Sequence, residues 1–416
     1  MDYIEIEGGV PLNGCVRVSG AKNAALPIMA SLLLVGGETR LRNVPRLRDV
    51  ATFSQVLQAL GAKIRAEGHE LVVDTTTIDG YEAPYELMRA MRASFLVLGP
   101  LLARIGRAKV SLPGGCAIGP RPVNLHLMGL QALGAQLEFE QGYVHARVDR
   151  LRGNTVGLPF PTVTGTENIM MAAALAEGMT VIDNAAREPE VVNLADALNR
   201  MGARVAGAGS ARIVIEGVRE LHPATHEIIP DRIEAGTFLV AGAMTGGEVT
   251  IDGCMPAHLA ALIEGLRAVG AGVEVGHGWV RVTGVDRARP IDIITAPYPG
   301  FPTDMQAQMM ALLSRAVGTS VISETVFENR FMHAAELCRM GAAIHINGAE
   351  AVVTGVPALH GASVMATDLR ASASLILAGL TAQGITTVSR VYHLDRGYEH
   401  IEVKLAALGA KIRRMP

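Results

Sequence analysis

Residues 111–126, SLPGGCAIGPRPVNLH, hold three glycines and three prolines, which make this stretch a loop rather than a core element. Cys116 stands at its centre, five residues before Arg121. A thiol in a glycine-rich loop beside a cation is accessible and partly ionised, because positive charge lowers its ordinary pKa of about 8.5. Cys116 is therefore the cysteine with a chemical role. Cys15, Cys254 and Cys338 lack that setting, and Cys338 lies in the apolar run AAELCRM.

A second set of charged residues opens six apolar, alanine-rich runs. These heads hold Lys22 and Asn23; Arg89, Arg92 and Ser94; Thr166, Glu167 and Asn168; Asp231, Arg232 and Glu234; Thr303, Asp304 and Gln306; Asp368, Arg370 and Ser372. A helix start carries free N–H groups and the positive end of the dipole, so it attracts anions. Ser, Thr and Asp at such positions serve as caps. Lys22, Arg92 and Arg370 differ, since a cation there opposes the dipole and calls for an anion beside it. Arg330 in FENRFMH, Arg396 in HLDRGYEHIE and Arg187 in NAAREPE stand at other element edges. No metal site is expected from the twelve histidines.

A repeat must position these heads. An apolar residue, Gly and Ala recur at Gly61, Gly134, Gly202, Gly270, Gly341 and Gly409, spaced 68 to 73 residues apart. A period of this size sets the architecture. Upstream of each glycine lies one of the six runs, apolar on nearly every side and hence a helix buried inside the protein. After it come a turn and a β-branched segment such as GMTVIDN, then an amphipathic stretch such as VVNLADALNRMGARV. There Val192, Leu194, Ala197, Leu198 and Met201 fall near helical spacing. The glycine reads as a left-handed C-cap. Each repeat is thus strand, buried helix, strand, outer helix, strand. At 416 residues the six units divide into two groups of three.

Composition narrows the class. Hydrophobic residues make up 49% and aromatics only 4%, so the core is aliphatic. A net charge of −3 argues against nucleic acid or a membrane surface as partner. No uncharged apolar run reaches about 18 residues, so no membrane span is expected. The start MDYIEIEGG does not resemble a secretory signal, and scattered cysteines suit free thiols in a cytoplasmic protein.

Taken together, SGAKNAALP, MRAS, SLPGGCAIGPRPV, NAAREPE, FPTDMQ, FENRFMH and HLDRGYEHIE resemble the enolpyruvyltransferases, most closely those whose acceptor is UDP-N-acetylglucosamine. The resemblance covers essentially the whole chain. It implies a two-domain inside-out α/β barrel of six βαβαββ repeats, three per domain, with helices inside and sheets outside. One domain would be residues 21–229, carrying the Cys loop, and the other residues 1–20 plus 230–416, with the active site in the cleft between them. The implied reaction moves the enolpyruvyl group of phosphoenolpyruvate to the 3′-hydroxyl of UDP-N-acetylglucosamine and releases phosphate, with no cofactor, in a monomer. Close alternatives are a shikimate 3-phosphate enzyme of the same fold and a non-catalytic sugar-nucleotide-binding relative.

Roles follow from matching motif positions. Lys22, Arg121 and Arg396 would hold the phosphate and carboxylate of phosphoenolpyruvate. Asp304 would take the proton of the sugar hydroxyl, and Cys116 would be the general acid or form a covalent adduct. Asn23, Arg92, Arg121, Pro122, Val123, Asn124, Leu125, Thr162, Val163 and Val326 would contact the sugar nucleotide. Arg330, Asp368 and Arg370 would support the phosphate site. Asn124 stands where Asp is common, PTVTGTEN replaces PSVGATEN, Phe160 stands where some members have Lys and Leu96 where some have Trp. These departures touch the nucleotide contacts and leave the reacting residues in place. Cys116→Ser is expected to lower turnover sharply near neutral pH and to abolish alkylation by an epoxide that mimics phosphoenolpyruvate. Full activity with persistent alkylation would remove Cys116 from the mechanism.

Overall fold

The six glycines end six outer helices by one device. Each has φ between 92° and 106°, a region that L side chains avoid. In each, the glycine N–H and the following alanine N–H fold back on helix carbonyls. At Gly202 these bonds run to Asn199 at 3.0 Å and from Ala203 to Leu198 at 3.0 Å. The longer bond recurs as Ala62 to Leu57, Ala135 to Leu130, Ala271 to Leu266, Ala342 to Leu337 and Ala410 to Leu405. This is the Schellman ending, in which the residue after the glycine also packs on the leucine it bonds. All six leucines and all six alanines are buried, which explains why the recurring phrase pairs Gly with Ala.

The computed structural model of the chain describes residues 2–112 and 123–416, with the side chains of Arg89, Ala90 and Arg92 outside the description. Contacts divide it into two compact units, residues 20–112 with 123–229 and residues 2–19 with 230–416. In the first unit the helices are α1 Lys22–Ser31, α2 Arg48–Ala59, α3 Tyr85–Ala90, α4 Leu98–Ile105, α5 Asn124–Ala132, α6 Val163–Ala173 and α7 Pro189–Arg200. In the second they are α8 Arg232–Thr245, α9 Ala260–Ala268, α10 Gln306–Leu313, α11 Met332–Arg339, α12 Leu369–Thr381 and α13 Ile401–Ala407. Helices α1, α4 and α6 pack together in one unit, and α8, α10 and α12 in the other. Every residue from Ile233 to Met244 in α8, and from Arg370 to Leu380 in α12, is buried. Outer helices bury one face only, as in α7, where Val191, Leu194, Ala195 and Leu198 are covered and Asp196 is exposed.

Among the described residues six separate sheets stand around the inner helices. One shows the pattern. Thr155–Gly157 runs parallel to Met179–Asp183, which pairs antiparallel with Arg212–Glu216, itself antiparallel to Arg204–Ala206. The sheet from residues 107–147 has three strands and only a bridge between Glu82 and Lys109 where the fourth would lie. Among the described residues each sheet keeps its own two edges, and no closed barrel of strands forms there. The inside-out order of layers is what the sequence describes.

The chain ends interlock with the repeats. Tyr3–Glu7 fills the gap between Ile385–Ser389 and Lys411–Met415, and Asn13–Arg17 adds to Glu248–Asp252. In the other unit Thr225–Glu227 returns to pair with Glu38–Arg42. Gly20 stands where the chain leaves one unit for the other, and a Cβ there would meet the Asn43 carbonyl oxygen at 1.8 Å. One expected inner helix is broken. The run MRAMRASFLVLGPLLA forms α3, a 3-10 turn over Arg92–Val97, and then α4. Met91 is extended between them, and Ser94 Oγ donates to the Met88 carbonyl at 3.3 Å.

A methyl group added at Gly134 would meet no atom within 4 Å, so its replacement by alanine tests the backbone alone. Gly134→Ala is expected to destabilise the protein by about 1–2 kcal/mol, the cost of a left-handed L-residue. A denaturant midpoint equal to that of the parent would contradict the reading.

Candidate active site

Polar heads of the inner helices meet in the second unit. In the second unit Asp304 sits in a 3-10 turn, Thr303–Met305, that leads into α10. Its two carboxylate oxygens accept from different arginines. Arg330 Nη2 donates to Oδ1 at 2.7 Å, and Arg370 Nη2 to Oδ2 at 3.0 Å. Both arginine side chains are almost fully buried, at 6% and 5% exposure, while Asp304 keeps 25%. Each arginine also has a buried Nη1 with no hydrogen-bond partner among the described residues. A desolvated N–H without an acceptor is costly, about 1–3 kcal/mol and more for a charged group. Two buried guanidinium N–H groups thus lack an acceptor among the described residues.

Arg370 is the second residue of α12, where the dipole opposes its charge. Burial disfavours that charge too, yet Asp304, Tyr398 and Asp231 hold its pKa above the ordinary guanidinium range. The anion expected beside a helix-start cation is thus supplied in part by the protein itself. The Tyr398 ring lies 5.5 Å from the guanidinium carbon of Arg370, and its hydroxyl contacts Thr237 Oγ1 at 2.9 Å and Gln308 Nε2 at 3.2 Å. Asp368 is the cap of α12, accepting from the Arg370 and Ala371 N–H groups at 2.7 and 3.0 Å. Asp231 caps α8 in the same way. Arg396 ends a 3-10 turn, Val391–Arg396, and is half-buried.

Several positioning residues carry no sequence signal. Glu324, 4% exposed, accepts from Thr295 Oγ1, Thr303 Oγ1, Val326 N and Phe327 N at 2.8 to 3.2 Å. One carboxylate thereby fixes both the turn before Asp304 and the loop that carries Val326. His333 is buried beside Arg330 and Asp368, and its Nε2 has no partner among the described residues. Burial, with help from Arg330 and against Asp368, pushes its pKa down to about 4. A buried glutamate or histidine looks like a surface one in sequence, so neither stands out there.

In the first unit Lys22 is the opening residue of α1, and its Nζ lies 3.5 Å from Asp49 Oδ2. These side chains are 14% and 6% exposed. Asn23 is half-buried beside it. Thr162 caps α6, its hydroxyl accepting from Gly165 N at 3.4 Å, and Val163 is the first residue of that helix. Glu167 on the same helix is fully buried, and burial first, then Glu190 and Glu188, raises its pKa well above the carboxylate range. Val123 and Leu125 are buried at the start of α5, whereas Asn124 is exposed. Cys116, Arg121, Pro122 and the side chain of Arg92 lie outside the described residues. Among those described, no group of three or more His, Cys, Asp or Glu could hold a metal, and no helix is long and apolar enough to cross a membrane.

The fold matches solved enolpyruvyl transferases. NikO from Streptomyces tendae superposes with a TM-score of 0.90 at 28% identity, over 100% of this chain and 99% of that one. EPSP synthase from Acinetobacter baumannii does so at 0.76 and 19% identity, over the whole of both chains, which speaks to the fold alone. Residues 6–405 match the family model described as EPSP synthase (3-phosphoshikimate 1-carboxyvinyltransferase). Fold and family-model match together define a protein of the enolpyruvyl-transferase class. Curated relatives called UDP-N-acetylglucosamine 1-carboxyvinyltransferase, from Anaeromyxobacter sp. (strain K) and Desulfosudis oleivorans, are 62% and 57% identical over the full length of both chains. The chain belongs to that family.

His333 gives a stability test. In the fold it stays neutral to about pH 4, whereas the unfolded chain binds its proton below 6.5. Between those values the unfolded state holds more protons, so stability falls as pH drops through the window. His333→Gln is expected to lose less thermal stability than the parent between pH 6.5 and 4. Identical slopes for the two proteins would contradict the assignment.

Proposed function

We propose that this chain transfers the enolpyruvyl group of phosphoenolpyruvate to the 3′-hydroxyl of UDP-N-acetylglucosamine, releasing phosphate, in the cytoplasmic synthesis of peptidoglycan precursors. The observation that carries the reading is Asp304 held on both oxygens by Arg330 and Arg370, each with a spare buried N–H. Such a pair accepts a phosphate while keeping a carboxylate beside it. The names of the full-length relatives point to the same reaction.

The reaction is addition then elimination. C3 of phosphoenolpyruvate takes a proton and C2 becomes electrophilic, with Cys116 as the general acid for C3 or for phosphate departure. The sugar 3′-oxygen bonds to C2 as Asp304 takes the hydroxyl proton, giving a tetrahedral ketal. Breaking the C2–O bond to phosphate and removing a C3 proton restores the double bond. Lys22, Arg121 and Arg396 hold the phosphate and carboxylate, and charge-assisted contacts of this kind both place the reacting atoms and offset developing charge. Asn23, Arg92, Arg121 to Leu125, Thr162, Val163 and Val326 receive the sugar nucleotide.

The geometry refines three of these roles. The Asp368 carboxylate is engaged in capping α12, so it serves by orienting Arg370. The Thr162 hydroxyl accepts from Gly165 and is left with its O–H to offer a ligand. The Val326 N–H is committed to Glu324, which leaves its carbonyl for the nucleotide.

Phosphate release from phosphoenolpyruvate is expected to require UDP-N-acetylglucosamine and to ignore shikimate 3-phosphate. Asp304→Asn is expected to lower kcat by about 10²–10⁴-fold, the usual worth of a general base. Release driven by shikimate 3-phosphate would favour the other branch of the family, and an unimpaired Asp304→Asn would remove the base.

A further inference from the structure

The turn that ends on Arg396 has a carboxylate, Asp395, immediately before it. Beside an arginine that has to receive an anionic substrate, an aspartate one residue away is a competitor. Turned toward the guanidinium, it would cancel much of the charge at short range. In this structure Asp395 is turned onto Arg414. Both of its oxygens lie 2.7 Å from Arg414 Nη2. Arg414 belongs to the last strand, Lys411–Met415, which pairs with Tyr3–Glu7. That backbone pairing fixes where Arg414 can reach.

Arg414 faces two further carboxylates. Its Nε is 3.2 Å from Asp2 Oδ2, and its Nη1 is 3.6 Å from Glu402 Oε1. Its side chain is 25% exposed and that of Asp395 is 37%, so the pair is only partly screened by water. On the other side of Arg396 the turn is held as well. Gly397 N and Tyr398 N both donate to the Leu394 carbonyl at 3.0 Å, and Tyr398 is anchored by Thr237 and Gln308. Arg396 thus lies between two fixed neighbours, one of which would otherwise be able to neutralise it.

We infer that Arg414 is a positioning residue for the enolpyruvyl donor: it sequesters the Asp395 carboxylate so that Arg396 keeps its charge for the phosphate or carboxylate of phosphoenolpyruvate. The inference rests on the role proposed for Arg396. It makes a prediction that a merely structural ion pair does not make. Removing Arg414 harms donor binding only while Asp395 retains its charge.

The test measures KM for each substrate, kcat and thermal midpoint for Arg414→Met, Asp395→Asn, the double variant and Arg414→Lys. Arg414→Met is expected to raise KM for phosphoenolpyruvate by about tenfold, the scale of one released charge at short range, and to leave KM for UDP-N-acetylglucosamine unchanged. Asp395→Asn is expected to stay near the parent, and the double variant to return to within about twofold of Asp395→Asn. Arg414→Lys, which keeps the charge if the methionine variant folds poorly, is expected to hold KM near the parent value. A double variant as impaired as Arg414→Met, or an unchanged KM in Arg414→Met, overturns the inference. Arg396→Met serves as the control. If it leaves KM for phosphoenolpyruvate unmoved, the reading of Arg396 falls and the inference with it. If it raises KM while Arg414→Met does not, only the inference falls.

Discussion

A helix with no polar face has nowhere to show polar groups except at its ends. That constraint organises this chain. Helices α8 and α12 are buried along nearly their whole length, so their charged residues sit in the first turn, as Arg370 does. There the free N–H groups and the dipole already favour anions, and a cation in the same place needs a carboxylate close by. Asp304 meets that need for Arg370 and Arg330 at once, and Asp49 does so for Lys22. The result is a set of desolvated cations, partly balanced from within.

Such preorganisation has an energetic logic. Burying a guanidinium is expensive unless it is paired and hydrogen-bonded. The Asp304 pairing covers one N–H face of each arginine, while the second Nη of each stays unmatched among the described residues. In the proposed reaction an incoming phosphate would meet donors that are already dehydrated, with little reorganisation left for the moment of reaction. The supporting contacts follow from this demand. Tyr398 backs Arg370, Glu324 fixes the turn before Asp304, and Asp368 holds the start of α12.

Much of the fold could be read from local signals. The glycine–alanine phrase announces a Schellman ending because the motif is contained in six consecutive residues, and the structure forms it all six times. The caps Asp231 and Asp368 are local for the same reason, whereas the third cap, Thr162, lies four residues before the head read at Thr166. Non-local features were not legible. The bond from Arg330 to Asp304 spans 26 residues and that from Arg370 spans 66, and no spacing rule links such positions. Glu324 and His333 act through burial, which their residue types argue against. The broken second run shows the opposite failure. An apolar stretch looks like one helix, but an extended Met91 interrupts it. The Cys116 loop and Arg121 lie outside the described residues, so their part of the scheme rests on sequence.

The central claim is that Arg330 and Arg370 hold guanidinium N–H groups ready for a substrate anion. Nitrogen-15 NMR of arginine side chains, recorded as phosphoenolpyruvate is added in the presence of UDP-N-acetylglucosamine, reads those groups directly. The account predicts that the Arg330 and Arg370 resonances shift and slow in exchange as donor binds, while surface arginines such as Arg212 stay put. Saturable donor binding with both buried resonances unchanged would contradict it.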